Sequence, residues 1–472
     1  MDLHEYASYD AVGLRDLIRT GDITAAEVDS AARRALEIAN ADVNGLALPV
    51  FDQTLDYAAS GPLAGVPFLI KDAGPVAEGV PFFNGSRSLP GFPAAYDTDL
   101  MGRFRSAGLA TLGLTTVPEM LISFSTESVK YGPTRNPWDL ERGVGGSSGG
   151  AAALVAAGAV PMAHANDGAG SIRIPASCCG LVGLKPTRGR TSLGPDLDEF
   201  LFGMHCDFAL TRTVRDAAQL LDAVHGPGIG DKYTAPPPLR PYVEELRTDP
   251  AALRVAITTQ AWSGTPVDGE VAAAAVATGR MLEHMGHTVL EASPEIDWEA
   301  LMNRMAKGLI GVALPWLMAP RPARSDELEA VSWHVLEEAR KLSAVDLMLA
   351  LDQQNRLSRV VGSFFTQYDV LVTPTLGQLP APHGTLQYDN SEHTVRTWLD
   401  SLMQYGPFTA LFNITGQPAI SLPLGWSTSG LPIGVQIVAG YGREDLLFQI
   451  ASRLEEAMPW TSRVPAYSVA RR

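Results

Sequence analysis

The stretch from Gly143 to Arg190, GVGGSSGGAAALVAAGAVPMAHANDGAGSIRIPASCCGLVGLKPTRGR, carries two glycine-flanked serine sites. The first is Ser147-Ser148, enclosed by Gly145-Gly146 and Gly149-Gly150; the second is Ser171, at the end of Asp167-Gly168-Ala169-Gly170. Between them Ala151 to Val160 is short and apolar, and its reading as a helical segment lets the two serines converge on one pocket. Glycine is useful where the backbone takes positive φ or approaches a ligand closely, and here it surrounds hydroxyl nucleophile candidates. The combination points to acyl-transfer chemistry more than to packing.

Simpler readings of the serine region fail on their context. Gly145 to Gly149 matches the G-x-S-x-G nucleophile elbow, and Gly146 to Gly150 matches it a second time with Ser148 as the central residue. An elbow needs a strand before it, whereas the preceding TRNPWDLERGV reads as a loop. A phosphate-binding loop needs Lys-Ser or Lys-Thr after the glycines, and a dinucleotide site needs G-x-G-x-x-G after a strand. Neither is present.

Composition bounds the rest. The 472 residues, 46% hydrophobic, bury a large core. A net charge of -16 without any basic run argues against a nucleic-acid partner. The N-terminus lacks the charged segment and apolar core of a signal peptide, and the longest apolar run is broken by Gly158 and Pro161 before it could span a bilayer. Cys178, Cys179 and Cys206 make neither a disulfide framework nor a zinc spacing. The expectation is a cytoplasmic protein with no membrane span, no metal and no cofactor.

Along the chain, apolar residues recur at helical spacing from Ala11 to Ala39, predicting two helices packed outside the core, the second capped by Thr24. Pro67 to Ile70 reads as a short buried strand ending in Lys71, an unusual place for a lysine. Thr98 to Ala107 reads as helix and Ala110 to Leu114 as strand, while residues 131–142 read as loop. After Arg190 the chain reads as irregular until a helix at Thr213 to His225. The Gly/Pro-rich residues 226–241 then read as a surface excursion within one large domain spanning residues 1–472. Strands are expected at 254–259, 288–292, 370–373, 419–424 and 434–438, with helices at 269–285 and 443–458. Residues 298–365 are expected to be helical, and their Met302, Met305, Leu309, Leu314, Trp316, Leu317 and Met318 line either a substrate pocket or the core.

Several blocks together resemble the amidase signature family of serine hydrolases: GGSSGG at 145–150, DGAGSIRIPAS at 167–177 and GLKPTRGR at 183–190. Outside that region GPLAGVPFLIKD at 61–72, TRNPWD at 134–139 and FNITGQPAISLPLG with GLPIGVQIV at 412–438 extend the resemblance over nearly the whole chain. It implies an α/β fold, a single large domain with a mixed central β-sheet surrounded by helices. It also implies a catalytic triad of Ser171 as nucleophile, Ser147 as a bridging serine in a cis linkage, and Lys71 as base, with Ser148 holding the loop.

The chemistry is consistent with those roles. A serine hydroxyl needs a base within hydrogen-bond reach, and a lysine serves only when neutral, a form that burial favours. Ser147 can accept and donate at once and so relay a proton. The turn before Ser171 offers the backbone N–H groups of Gly168, Ala169, Gly170 and Ser171 as an oxyanion hole. Asp167 and Arg173 are read as buried supporting partners, Asp72 stays ambiguous, and none of the nine histidines is tied to the site by spacing.

The expected activity is hydrolysis of carboxylic amide C–N bonds, with esters and carbamates as chemically adjacent substrates. The blocks PTRNPW, NDGAGSIRIPAS and YGREDLL are most similar to the branch with 6-aminohexanoate cyclic dimer hydrolases, which implies small hydrophobic, aryl or synthetic amides or carbamates as substrates. The resemblance leaves a homodimer open. The alternative is an amidotransferase subunit that supplies ammonia in a tRNA-dependent complex; such subunits carry Gln where this chain has Ile174, which favours a free-standing amidase.

Overall fold

The computed structural model describes residues 1–319 and 321–472. Two short parallel strands, β1 (Pro67–Lys71) and β2 (Ala110–Thr115), are joined through the helix Asp99–Ala107. Every residue of both strands is buried, so they read as continuous apolar runs and show no alternation.

Residues 131–142, expected to be loop, instead form much of two small ribbons. β3 (Glu127–Ser128) pairs with β4 (Gly132–Pro133), and β5 (Arg135–Asn136) pairs with β6 (Asp139–Gly143), both antiparallel. Strands this short leave no readable period, because backbone pairing and not a buried face defines them. A strand therefore does precede Ser147, but it belongs to a partly exposed ribbon and not to the central sheet.

The main sheet contains β7 (Met162–Asp167), β8 (Val182–Lys185), β9 (Cys206–Thr211), β10 (Arg254–Ile257), β11 (Thr288–Glu291), β12 (Val370–Pro374), β13 (Ala419–Trp426) and β14 (Pro432–Ala439). Their order is β11-β10-β12-β14-β13-β8-β9-β7. β11, β10 and β12 are parallel and the remaining pairings antiparallel, so the sheet is mixed. β9 lies within the stretch after Arg190 that reads as irregular from sequence. Its surroundings are rich in turn residues, and its pairing with β7 and β8 is what makes it a strand.

Helices cover the sheet and make this one α/β architecture. Ala11–Thr20 and Ala25–Val43 come first, the latter opened by a capping box between Thr24 and Glu27. An additional short helix, Leu3–Ser8, precedes them. Residues 226–241 run without regular structure to the short helix Tyr242–Glu245. From Trp298 onward come Trp298–Leu309, Leu314–Met318, Ala330–Ala339 and Ala344–Gln367. Among the described residues no helix is long and apolar enough to cross a membrane.

The helix Gly149–Ala156 is buried along its whole length beside β7. Its first two glycines are packing requirements: a Cβ on Gly149 would stand 2.2 Å from Thr126 Oγ1, and one on Gly150 2.4 Å from Thr116 Oγ1. The serine loop is thereby pressed against the core.

Candidate active site

Lys71 is the last residue of β1 and is fully buried. β1 packs against β7, which brings the Lys71 Nζ to 2.5 Å from Asn166 Oδ1. The serine loop reaches the same amine, with Ser147 Oγ at 2.7 Å and Ser148 Oγ at 2.8 Å. The Gly146–Ser147 peptide is cis. A Cβ at Gly146 would lie 2.7 Å from the carbonyl oxygens of Ser123 and Ser125, so only glycine fits. Burial disfavours the ammonium and lowers the Lys71 pKa to about 7, against the upward pull of the Asp207 and Asp167 carboxylates.

Ser171 follows from the end of β7. After Asp167 the chain turns through Gly168, Ala169 and Gly170 and enters the helix Arg173–Cys179. Asp167 Oδ2 accepts from the backbone N–H of Ile172 at 3.1 Å and of Arg173 at 3.4 Å, closing the turn around the serine. The Arg173 guanidinium meets both oxygens of Asp167 at 2.9 Å. It also donates to the Thr409 carbonyl, Gln436 Oε1 and Asn413 Oδ1. Both members of the pair are fully buried. Burial pushes the Asp167 carboxyl up, but Arg173 outweighs it and holds the group well below the usual range.

Among the described residues, the backbone N–H groups of Gly168, Ala169, Gly170 and Ser171 donate to no other backbone group. Gly170 has φ of 145°, and a Cβ there would meet Thr409 Oγ1 at 2.4 Å. Thr409 Oγ1 in turn donates to the Ala169 carbonyl at 2.6 Å, tying the turn down from the opposite side.

Ser147 and Ser171 line one cavity of about 50 Å³, whose walls are otherwise largely apolar and include Phe124, Leu201 and Leu402. It adjoins a second lobe of about 300 Å³, and the two share Met120, Leu121, Asn166, Phe200, His205 and Val312. The helical region after Trp298 divides between the readings left open above. Met305 and Leu309 line the first lobe and Leu314 and Met318 the second, whereas Met302 and Trp316 belong to the core and Leu317 is exposed.

Sequence spacing ties no histidine to the site, but the fold brings His205, just before β9, to the wall of both lobes. Antiparallel pairing of β7 with β9 sets Asn166 opposite Asp207. His205 and His164 place Nε2 at 3.3 and 3.2 Å from Asp207 Oδ1, and His205 and Asp207 both line the second lobe. Asn166 and Asp207 were missed because their proximity depends on strand register and not on sequence spacing. Alternation in Cys206 to Thr211 was the available signal for the strand.

The supporting residues have plain positions. Ser148 Oγ lies 3.3 Å from the Asn166 carbonyl, to which it donates. Asp72 accepts from the backbone of Phe83 and Gly85 and from the Tyr131 hydroxyl, so it anchors a neighbouring loop. Burial pushes the Cys178 thiol up to about 12, the behaviour of a packed and unreactive cysteine.

A family model described as Amidase matches residues 27–448. The chain belongs to the amidase signature family, enzymes that hydrolyse carboxylic amide C–N bonds. It is 39% identical to a 6-aminohexanoate-cyclic-dimer hydrolase of Paenarthrobacter ureafaciens, over 97% of this chain and 96% of the relative. The corresponding hydrolase of Pseudomonas sp. (strain NK87) is 38% identical over the same shares. The solved structure of a 6-aminohexanoate cyclic dimer hydrolase complexed with substrate superposes with a TM-score of 0.93 at 37% identity, covering 98% of this chain and 99% of that one.

Proposed function

We propose that this amidase works through an acyl-enzyme on Ser171, with Ser147 as proton relay and Lys71 as the base. The observation that carries the reading is the arrangement around Lys71 Nζ. Asn166 Oδ1 can only accept. Ser148 Oγ directs its own proton to the Asn166 carbonyl and therefore accepts as well. A neutral amine has two N–H donors and one lone pair, so these two partners use both donors and leave the lone pair to the Ser147 hydroxyl at 2.7 Å. With its pKa lowered to about 7, Lys71 reaches that neutral form near neutral pH.

In the first step Ser171 Oγ attacks the amide carbonyl carbon, its proton passing to Ser147 as the Ser147 proton passes to Lys71. The tetrahedral oxyanion takes hydrogen bonds from the turn at Gly168 to Ser171, donors of a kind worth about 3 to 4 kcal/mol each. Return of the proton releases the amine, and water then repeats the sequence to free the acid. The same acyl chemistry extends to esters and carbamates.

The apolar cavity and the relatives acting on 6-aminohexanoate cyclic dimer support a small hydrophobic or synthetic amide as substrate, aryl amides included. Labelling by a fluorophosphonate-type serine probe, mapped by mass spectrometry, is expected at Ser171. Ser171→Ala is expected to abolish both labelling and hydrolysis of a chromogenic anilide. Unchanged turnover in that variant overturns the assignment. A substrate series of short amides, aryl amides, carbamates and 6-aminohexanoate oligomers then ranks the leaving groups.

A further inference from the structure

The second lobe is mostly apolar, walled by Val76, Leu100, Leu193, Pro315 and Met318 among others, yet it holds one carboxylate. His164 Nε2 is hydrogen-bonded to Asp207 Oδ1 at 3.2 Å, and His205 Nε2 lies 3.3 Å from the same oxygen. Among the described residues the hydrogen bond to the Asp207 carboxylate goes to Oδ1 and none goes to Oδ2, and its side chain keeps 15% of its surface open. Burial pushes the carboxyl up, but His205 and His164 outweigh that and hold it well below the usual range, so it stays ionised. An ionised oxygen open to an apolar chamber is matched by a cation on an aliphatic stem. A neutral polar group would gain less, because it lacks the Coulomb attraction between opposite charges, which an apolar chamber strengthens.

We propose that the second lobe is a binding site for a primary alkylammonium group, received at Asp207 Oδ2 with its aliphatic chain against the apolar wall. Asn166 and His205 line both the lobe and the serine cavity, so a group held in the lobe lies next to the serine site. The reading rests on the acyl-transfer function above, and two chemical sources satisfy it. One is the amine freed from the substrate, which is protonated in water once released. The other is an ω-ammonium group carried on the acyl chain itself. Either way Asp207 makes the enzyme selective for chains that carry or release an alkylamine.

The test measures binding without turnover. Calorimetry of the Ser171→Ala protein at about pH 8.5, where free alkylamines are still protonated, compares n-hexylammonium, 6-aminohexanoate and n-hexanol. Hexylammonium is expected to bind at least about tenfold tighter than hexanol, and Asp207→Asn to remove that preference while hexanol binding is kept. A second variant, Met318→Lys, places a cation at the exposed mouth of the lobe without touching Asp207 and is expected to weaken hexylammonium several-fold relative to hexanol. Tighter binding of 6-aminohexanoate than of hexylammonium assigns the site to an ω-aminoacyl chain; the reverse order assigns it to the released amine. Equal binding of hexylammonium and hexanol, or a preference that survives both variants, overturns the proposal. Because no turnover is read, that result leaves Ser171 chemistry standing, and failure of the serine label leaves the ammonium site standing.

Discussion

Asn166 Oδ1 accepts a hydrogen bond from Lys71 Nζ at 2.5 Å, so the lysine amine is oriented by a neutral carboxamide and not by a carboxylate. A carboxylate there would favour the ammonium; the carboxamide lets burial set the pKa. Since a base acts in its deprotonated form, activity is lost as pH falls through the Lys71 pKa. The acid limb of kcat/KM is expected to have its midpoint near about 7. Asn166→Asp is nearly isosteric and adds a negative charge at hydrogen-bond distance, which moves such a pKa by about 1 to 3 units. The pH–rate profile of that variant should shift its acid limb upward by at least about one unit. A limb that stays in place would mean that another group controls it.

The turn before Ser171 gives a second prediction. At Gly170 the backbone φ of 145° and Thr409 Oγ1 at 2.4 Å both exclude a side chain. Gly170→Ala is expected to displace the N–H groups of the turn and lower kcat by about 10²- to 10³-fold, the loss typical of one oxyanion donor. Gly362 is the control: it is exposed in the helix Ala344–Gln367, and a Cβ there meets nothing within 4 Å. Gly362→Ala should leave kcat unchanged and add about 0.5 to 1 kcal/mol of stability. Steady-state kinetics and urea titration of the two variants check the contrast.

Sequence showed most of what is local. Thr24 and Glu27 make the capping box that the Thr24 signal suggested. The buried strand ending in Lys71 was legible because an apolar run followed by a lysine is rare. The two serine loops were legible because glycine marks close backbone approach, as Gly146, Gly149 and Gly170 do. What stayed hidden depends on pairing across the sheet. Asn166 and Asp207 are 41 residues apart in the chain and become neighbours only through the β7–β9 register. β9 itself was obscured by the turn-rich residues before it. The helical stretch after Trp298 could not be divided between core and cavity wall, because helical periodicity says that a face is buried and not what it is buried against.

Arg173 and Asp167 form a fully buried pair whose guanidinium donates to five acceptor atoms. Replacing one partner leaves the other charge without compensation, which costs about 3 to 5 kcal/mol in such sites. Arg173→Met should therefore lower the unfolding free energy from urea titration by an amount in that range, seen as a lower urea midpoint. It should also reduce kcat, because Asp167 closes the Ser171 turn through the Ile172 N–H. Loss of activity with an unchanged urea midpoint would mean that the pair acts on the site alone and adds nothing to the fold.

A pair of buried glutamates predicts a pH dependence of stability that is separate from catalysis. Glu119 Oε2 accepts from the Glu329 backbone N–H at 2.7 Å, and Glu329 Oε1 accepts from the Val129 N–H at 2.9 Å. Burial, reinforced by the Glu119 and Asp389 carboxylates, pushes the Glu329 carboxyl up from 4.5 to about 8. A group whose folded pKa is raised takes up a proton on folding. Its stabilising contribution is fully present below about pH 4.5, declines as pH rises through the window to about 8, and is gone above it. Glu329→Gln keeps the acceptor for Val129 and removes the charge. The difference in unfolding free energy between Glu329→Gln and the natural protein should grow in the variant's favour by a few kcal/mol across that window. Urea titrations of both proteins between about pH 5 and pH 9 measure it. Other buried carboxyls with raised pKa, Asp216 and Glu455 among them, contribute equally to both curves and cancel in the difference. A difference that does not change with pH would place the Glu329 pKa in its ordinary range.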